Sequence, residues 1–324
     1  MRVAIFGSET GLPDAVFQLI TGREPGQAPR DYVSAVATAD FPDKRLSLLA
    51  GAIKPEKTTP DRPEFHMFLG MGPMWSDRKA GEVFNAMAAY SGFVIVARDE
   101  PDLDNLYSRI ILSDAEAIDR LIPGLRKSVS GGQDDPKKLF FLENFAETLG
   151  QGKPLFSLGL SGNDLVPVLE YGFLSLKPAI VAMAVEPRGS LDLDWVAGDF
   201  PLVLEIASLP DGEREEVARE LGIRDPVPEI FSKLYGAMGL IHFFTPGPKE
   251  VRAWSLRKGA KAPEAAGRVH SDMKKGFIRA TVARWDAVVS ADGWEAAKKS
   301  GAARKEGRDY TVQDGDVIEV LFSK

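Results

Sequence analysis

The 324-residue chain contains no cysteine and only three histidines, His66, His242 and His270. The missing cysteines exclude disulfides, thiolate catalysis, Cys-ligated zinc and iron–sulfur clusters. The histidines are too scattered along the sequence to form a histidine metal motif. No stretch reaches the roughly 18 consecutive apolar residues of a membrane span. The apolar run in "MRVAIFG" is too short for a secretory signal, so a cytoplasmic location without membrane contact is expected. What is present is an ordinary globular composition, 44% hydrophobic and 27% charged, in a chain long enough for about two domains.

The net charge of −7 is unevenly spread. From His242 to Lys324 there are 16 Lys and Arg against 11 Asp and Glu, a balance of +5 that leaves −12 on the rest. An acidic body therefore carries a basic C-terminal module, a distribution shared by nucleic-acid-binding proteins and by proteins with a merely solvated face.

The first part alternates strands and helices. Val3–Phe6 reads as a buried strand and Ala15–Thr21 as a short helix, while "DKRLSLLAGAI" sets Leu46, Leu49, Ala50 and Ile53 on one helical face. "PEFHMFLGMG" predicts a second strand ending at Gly70 and Gly72. A helix over Arg78–Tyr90 and the apolar strand "GFVIVARDE" follow. Strands separated by helices predict a mostly parallel sheet with helices on both faces, whose ligands lie beyond the carboxyl ends of the strands, near Gly7, Gly70 and Arg98. From 111 to 175 the pattern is helical: "SDAEAIDRLIPGLRKS", with Ser113 or Asp114 as N-cap, and "DPKKLFFLENFAETLGQGKP" form a predicted hairpin. "LKPAIVAMAVEP" and "DFPLVLEIASLP" read as two further strands, and "DGEREEVARELGI" and "PEIFSKLYGAMGL" as closing helices. The last 83 residues, with hairpin, helix and further strands, predict a small β-grasp module.

At "FFTPGPKEVRAWSLRKGAKAPEAAGRVHSDMKKGFIRA" and "EGRDYTVQDGDVIEVLF" the sequence closely resembles the YchF (Obg-like) ATPases. These segments match that family's TGS domain, an RNA-associated β-grasp module also found in threonyl-tRNA synthetases and stringent-response enzymes. "PDKRLSLLAGAIKPEK", "GKPLFSLGLS" and "KPAIVAMAV" extend the resemblance over nearly the whole chain. It implies an α/β P-loop NTPase-like domain over 1–110 and 176–241, a helical insertion over 111–175 and a TGS domain of β-grasp (ubiquitin-like) fold over 242–324. It also implies ATP or GTP with magnesium as cofactor, and the ribosome or RNA as partner.

The nucleotide motifs depart from that family pattern. A Walker A loop, G-x-x-x-x-G-K-[ST], needs its second glycine to wrap the β-phosphate, its lysine to neutralise the phosphates and its hydroxyl to hold magnesium. With Gly7 as first glycine, these positions hold Leu12, Pro13 and Asp14. Leucine resists positive φ, proline removes a backbone donor, and aspartate sets a negative charge where polyphosphate would lie. Shifting the register to Gly11 still supplies no cation. The same residues make an ordinary helix start, with Thr10 or Gly11 as cap, Pro13 in the first turn and Asp14 at the positive end of the dipole. In the family's D-x-x-G, Met67 stands at the aspartate and only Gly70 remains. The asparagine of its N-x-x-E falls at Ala184, with Glu186 out of register.

No other catalytic constellation stands out. His66 reads as a packing or hydrogen-bonding residue, and Asp192 and Asp194 as solvated loop carboxylates. "DGD", Asp314 to Asp316, reads as a turn before the last strand. Lys249, Arg252, Arg257, Lys258, Arg268, Lys274, Lys275 and Arg279, interleaved with Trp254 and Trp285, are the candidate RNA contacts. The combined reading is a non-catalytic pseudo-NTPase, with no resident cofactor or metal, acting on the ribosome, RNA or a protein at the helical insertion; no DNA sequence recognition is evident. Two alternatives stand beside it: a nucleotide-binding protein with an altered loop, and a regulator that binds only proteins.

Overall fold

The longest apolar runs become the inner strands of a parallel sheet. Up to Ala197, the described residues contain β1 (Arg2–Gly7), β2 (Val33–Thr38), β3 (Lys57–Thr59), β4 (Glu64–Phe68), β5 (Gly92–Ala97), β6 (Ala179–Met183) and β7 (Asp194–Ala197). The helices to the end of this half are α1 (Leu12–Thr21), α2 (Lys44–Ile53), α3 (Asp77–Met87), α4 (Glu100–Ser130), α5 (Pro136–Gly150), α6 (Phe200–Ala207), α7 (Asp211–Glu220) and α8 (Val227–Ala237). The computed structural model describes residues 1–8, 11–26, 32–68, 77–160, 162–186 and 193–323. They form two units: Met1–Ala39 with Glu64–Leu234, and Asp40–Pro63 with Tyr235–Lys324.

In the first unit the strand order is β2-β4-β1-β5-β6-β7. Among the described strands of this sheet only β2 runs antiparallel to its neighbour. β5 and β6 are buried at every position because helices cover both faces, which is why they read as unbroken apolar runs. On one face Phe6 meets Phe93 edge-on at 5.4 Å, under side chains of α3 and the first part of α4. On the other, Phe65 meets Phe231 of α8 at 5.6 Å.

Several expectations are corrected here. "DFPLVLEIASLP" is helical, not a strand: Asp199 accepts a hydrogen bond from Leu202 N at 3.1 Å and Pro201 lies in the first turn of α6. Asp194 begins edge strand β7 rather than lying in a loop, while Asp192 is outside the described residues. β4 ends at Phe68, and Gly70 and Gly72 are outside the described residues. Neither Ser113 nor Asp114 caps a helix, because α4 starts at Glu100 with Asp99 as cap. Its early residues Leu103, Leu106, Tyr107 and Ile110 join the sheet core. Its later ones, Ile118 and Leu125, pack with Leu142, Phe145 and Leu149 of α5.

Asp114 is only 3% exposed and does a different job. Its carboxylate accepts hydrogen bonds from Leu174 N (3.0 Å), Ser175 N (2.8 Å) and Ser175 Oγ (2.7 Å). It ties α4 to the segment that leads back into β6. Burial pushes its carboxyl up, against the lowering by those hydrogen bonds.

The second unit is built on β8 (Leu240–Thr245), β9 (Glu250–Arg257), α9 (Ala262–Val269), α10 (Ser271–Lys275), β10 (Phe277–Arg284), α11 (Trp285–Ser290), α12 (Trp294–Lys299), β11 (Arg304–Glu306) and β12 (Asp316–Phe322). The sheet order is β11-β10-β12-β8-β9-β3. A hairpin, a helix, and a last strand running parallel beside the first make a β-grasp. The excursion 40–63 was expected in the nucleotide domain, but it groups with this sheet. β3 pairs in parallel with β9, and Leu46 and Leu49 of α2 pack with Phe244, Val288 and Trp294 on the face opposite α9. Burial on that second face holds the segment in place.

Polar contacts secure the same segment. Tyr235 Oη donates to Asp61 Oδ2 at 2.7 Å, and His242 Nε2 lies 3.4 Å from the same oxygen without hydrogen-bond alignment. The His242 ring is stacked on Tyr235 at 5.0 Å. Arg45 pairs with Asp314 at 2.6 Å, and Asp314 accepts His242 N at 2.9 Å. Burial pushes the Asp61 carboxyl up, but His242 and the Tyr235 hydroxyl more than reverse this and hold it below the ordinary value. The folded state then binds fewer protons than the unfolded chain, so this stabilisation is complete above the ordinary carboxylate pKa and is lost as pH falls through the folded one. Melting the full chain between about pH 6 and about pH 3 is expected to show an acid loss that Asp61→Asn reduces. An Asp61→Asn profile parallel to the native one at every pH contradicts this.

Candidate functional site

β1, β4, β5 and β6 are in register, Gly7 beside Val96, Ile5 beside Met67 and Ala97 beside Met183. Their carboxyl ends therefore bring Gly7, Met67 and Ala184 to one edge of the sheet, the edge at which ligands bind in folds of this kind.

The loop that opens this edge runs from Gly7 into α1. A Cβ on Gly7 would lie 2.4 Å from Val96 O and 2.9 Å from Pro13 Cγ, so only glycine fits. Those distances place the Pro13 ring against Gly7, and Pro13 is buried. Pro13 is the residue that the resemblance aligns with the Walker A lysine. Gly11 is the N-cap, at φ +99, and makes no side-chain cap; Thr10 lies outside the described residues. Leu12 begins the helix, Pro13 removes one N–H from its first turn and Asp14 is the acidic residue there. Ser8 Oγ is buried without a hydrogen-bond partner among the described residues.

Met67, which the resemblance aligns with the family's D-x-x-G aspartate, is 3% exposed and its side chain carries no oxygen. Gly70 is outside the described residues. Ala184 and its neighbour Val185, just past β6, are exposed and have hydrocarbon side chains with no polar group to read a base. At the end of β5, Arg98 Nε is 3.4 Å from Asp99. Among the described residues, no group of three or more His, Asp or Glu is placed to hold a metal ion. With a ring at Pro13, a negative charge at Asp14 and no cation among Leu12, Pro13 and Asp14, this helix start does not fit a polyphosphate, whose charge a lysine neutralises in a Walker A loop. His66, beside Met67, is hydrogen-bonded on both nitrogens, Nε2 to Glu64 at 2.5 Å and Nδ1 to Tyr90 Oη at 2.8 Å.

The second cluster lies on the β-grasp unit. Lys249, Arg257, Lys258, Lys274, Lys275 and Arg279 are exposed, and none has an ion pair among the described residues. Arg252 is half-buried on β9, its guanidinium carbon 4.1 Å from the Trp254 ring centroid. Arg268 differs from the rest: Nε donates to Ser255 O at 3.1 Å and Nη2 to Ser255 Oγ at 3.3 Å, so it is committed to the fold. Trp254 belongs to the core margin under α9, and Trp285 to the opposite face, so the two do not form one platform.

Residues 240–323 match the family model YchF-GTPase_C, described as "Protein of unknown function (DUF933)". The "Ribosome-binding ATPase YchF" of Haemophilus influenzae is 32% identical over 317 residues, 87% of this chain and 87% of that protein. The chain belongs to the YchF family. The Bacillus subtilis YchF, also named a ribosome-binding ATPase, is 29% identical over 99% of this chain and 100% of its own length. The structure of the Schizosaccharomyces pombe YchF GTPase superposes with a TM-score of 0.79 at 20% identity, covering 99% of this chain and 97% of that one, which establishes the fold. In this YchF member the excursion 40–63 supplies α2 and β3 to the C-terminal sheet, a feature with no local sequence signal because β9, the partner of edge strand β3, lies roughly 190 residues away in the chain.

Proposed function

We propose that this YchF-family chain is a non-catalytic pseudo-NTPase whose basic β-grasp unit, the counterpart of a TGS domain, binds ribosomal RNA. The observation that carries the first half is Pro13, buried against Gly7 at the start of α1 and followed by Asp14. A nucleotide there would meet a like charge, one donor fewer and no countercharge from Leu12, Pro13 or Asp14. The curated relatives are named ribosome-binding ATPases, and their ribosome link is carried to this chain on the strength of its unpaired basic residues. A domain that no longer senses a γ-phosphate has no nucleotide-driven change of shape, so binding is expected to be constitutive. The helical hairpin, which exposes Leu112 and Phe140, is the surface for a protein partner. No helix among the described residues is long and apolar enough to cross a membrane, and a cytoplasmic setting follows from the ribosome reading.

Sedimentation of cell lysate through sucrose tests the partner. The chain is expected in ribosomal fractions at low salt, to leave them as salt rises, and to distribute identically with or without added ATP or GTP. Absence from those fractions at every salt concentration, or release by nucleotide, contradicts the reading.

A further inference from the structure

Arg252 is set apart from the other cations of the β-grasp unit by what surrounds it. It sits between Thr245 of β8 and Thr59 of β3 in the ladder, on the same face as Glu250 and Trp254. The nearest carboxylate on its own strand, Glu250, is taken: Thr59 Oγ1 donates to it, and Lys57 Nζ lies 3.8 Å away. Arg252 is therefore left without an ion pair among the described residues, and its Nε is buried with no acceptor. A guanidinium in this position would ordinarily fold onto a carboxylate or swing into water. Here it is held on the indole of Trp254, whose Nε1 donates to Thr245 Oγ1 at 3.0 Å and so cannot turn freely. The Trp254 side chain is partly buried against the α9 core.

We infer that Arg252, laid on Trp254 and steered by Thr245, is a stacking platform for an unpaired base of RNA. This rests on the RNA reading of the β-grasp unit and names the form of RNA it takes. A guanidinium whose one side is covered by an indole presents a flat, cationic outer side, which stacks on any nucleobase while its remaining donors reach a phosphate. Lys249, just before β9, and Arg257 and Lys258, at its far end, are exposed cations along the same strand, placed to follow a backbone to either side. Duplex RNA keeps its bases stacked on one another and offers none to such a platform, so the site selects single strands, loops or bulges.

The test uses the full chain with two probes, a single-stranded oligouridylate and an RNA duplex of the same length, titrated while tryptophan fluorescence and anisotropy are read. Native protein is expected to bind the single strand more tightly, and Arg252→Ala and Arg252→Lys to lose about tenfold on the single strand while their weaker duplex affinity changes little. The lysine variant keeps the charge and loses the plane, so an unchanged single-strand affinity in it overturns stacking. Equal losses on both probes make Arg252 a phosphate contact and also overturn it. If native protein binds neither probe, the RNA reading itself fails. Arg252 is half-exposed, and matching melting curves for the variants exclude a folding defect.

Discussion

Replacing Leu12, Pro13 and Asp14 together by glycine, lysine and threonine is expected to raise the affinity for magnesium ATP by about a thousandfold. The lysine restores a charge-assisted contact to the phosphates, worth about 1.5–3 kcal/mol, and removing Asp14 relieves a repulsion of similar order. The glycine and the recovered backbone N–H allow the loop to wrap a phosphate. Together these come to about 4 kcal/mol, or three orders of magnitude in Kd. The scaffold accepts the change because β1, Gly7 and α1 already stand in a strand, loop and helix arrangement. Removing the Pro13 ring from its place against Gly7 opens the space in which the new lysine would extend. Calorimetry on the triple variant checks this. A folded variant that still fails to bind would contradict the assignment of the loss to Leu12, Pro13 and Asp14.

Asp114→Ala is expected to destabilise the first unit by about 3 kcal/mol or more, the largest effect of any single change considered. The carboxylate serves two backbone N–H groups and one hydroxyl, all buried, and alanine leaves all three without an acceptor. Each buried orphan costs about 1–3 kcal/mol, partly offset because a carboxyl that burial disfavours has gone with it. Asp114→Asn keeps an acceptor oxygen and is expected to fall between the two. Urea unfolding followed by far-ultraviolet circular dichroism measures the difference. A loss below about 1 kcal/mol would mean that water reaches these groups and that the tie is not structural.

Asp114 also illustrates what could be read before the fold was known. In sequence it looks like a helix cap, because a short acidic side chain before an apolar-periodic run is the usual cap signature. In the fold it does satisfy free N–H groups at the start of a helical turn, but those of Leu174 and Ser175, about 60 residues on. The fully apolar strands β1, β5 and β6 were legible because burial on both faces leaves no alternation to misread. Residues 200–207 read as a strand because apolar residues occupy nearly every position, although only Phe200, Val203 and Ile206, one helical face, are buried. The signals that separate them are Asp199 and Pro201, a cap and a first-turn proline. Edge strands β2 and β7 are short and half-exposed and carry neither pattern strongly.

The candidate loop was legible because its motif is local: eight consecutive residues decide whether a lysine and a hydroxyl are present. The expectation that residues 40–63 belong to the nucleotide domain failed because chain neighbours were taken for spatial neighbours. Hydrophobic periodicity located α2, but what covers its apolar face depends on Phe244, Val288 and Trp294, which are distant in sequence. The Arg252 and Trp254 pair was visible as two members of a basic and aromatic set. That one of them is stacked and unpaired, while Arg268 is consumed by Ser255, is a property of β9 and its neighbours alone.

Titration of the native chain with ATP and with GTP, each in magnesium, tests the central claim most directly. The loop built from Leu12, Pro13 and Asp14 predicts no binding tighter than about millimolar for either nucleotide. Micromolar affinity for one of them would contradict it.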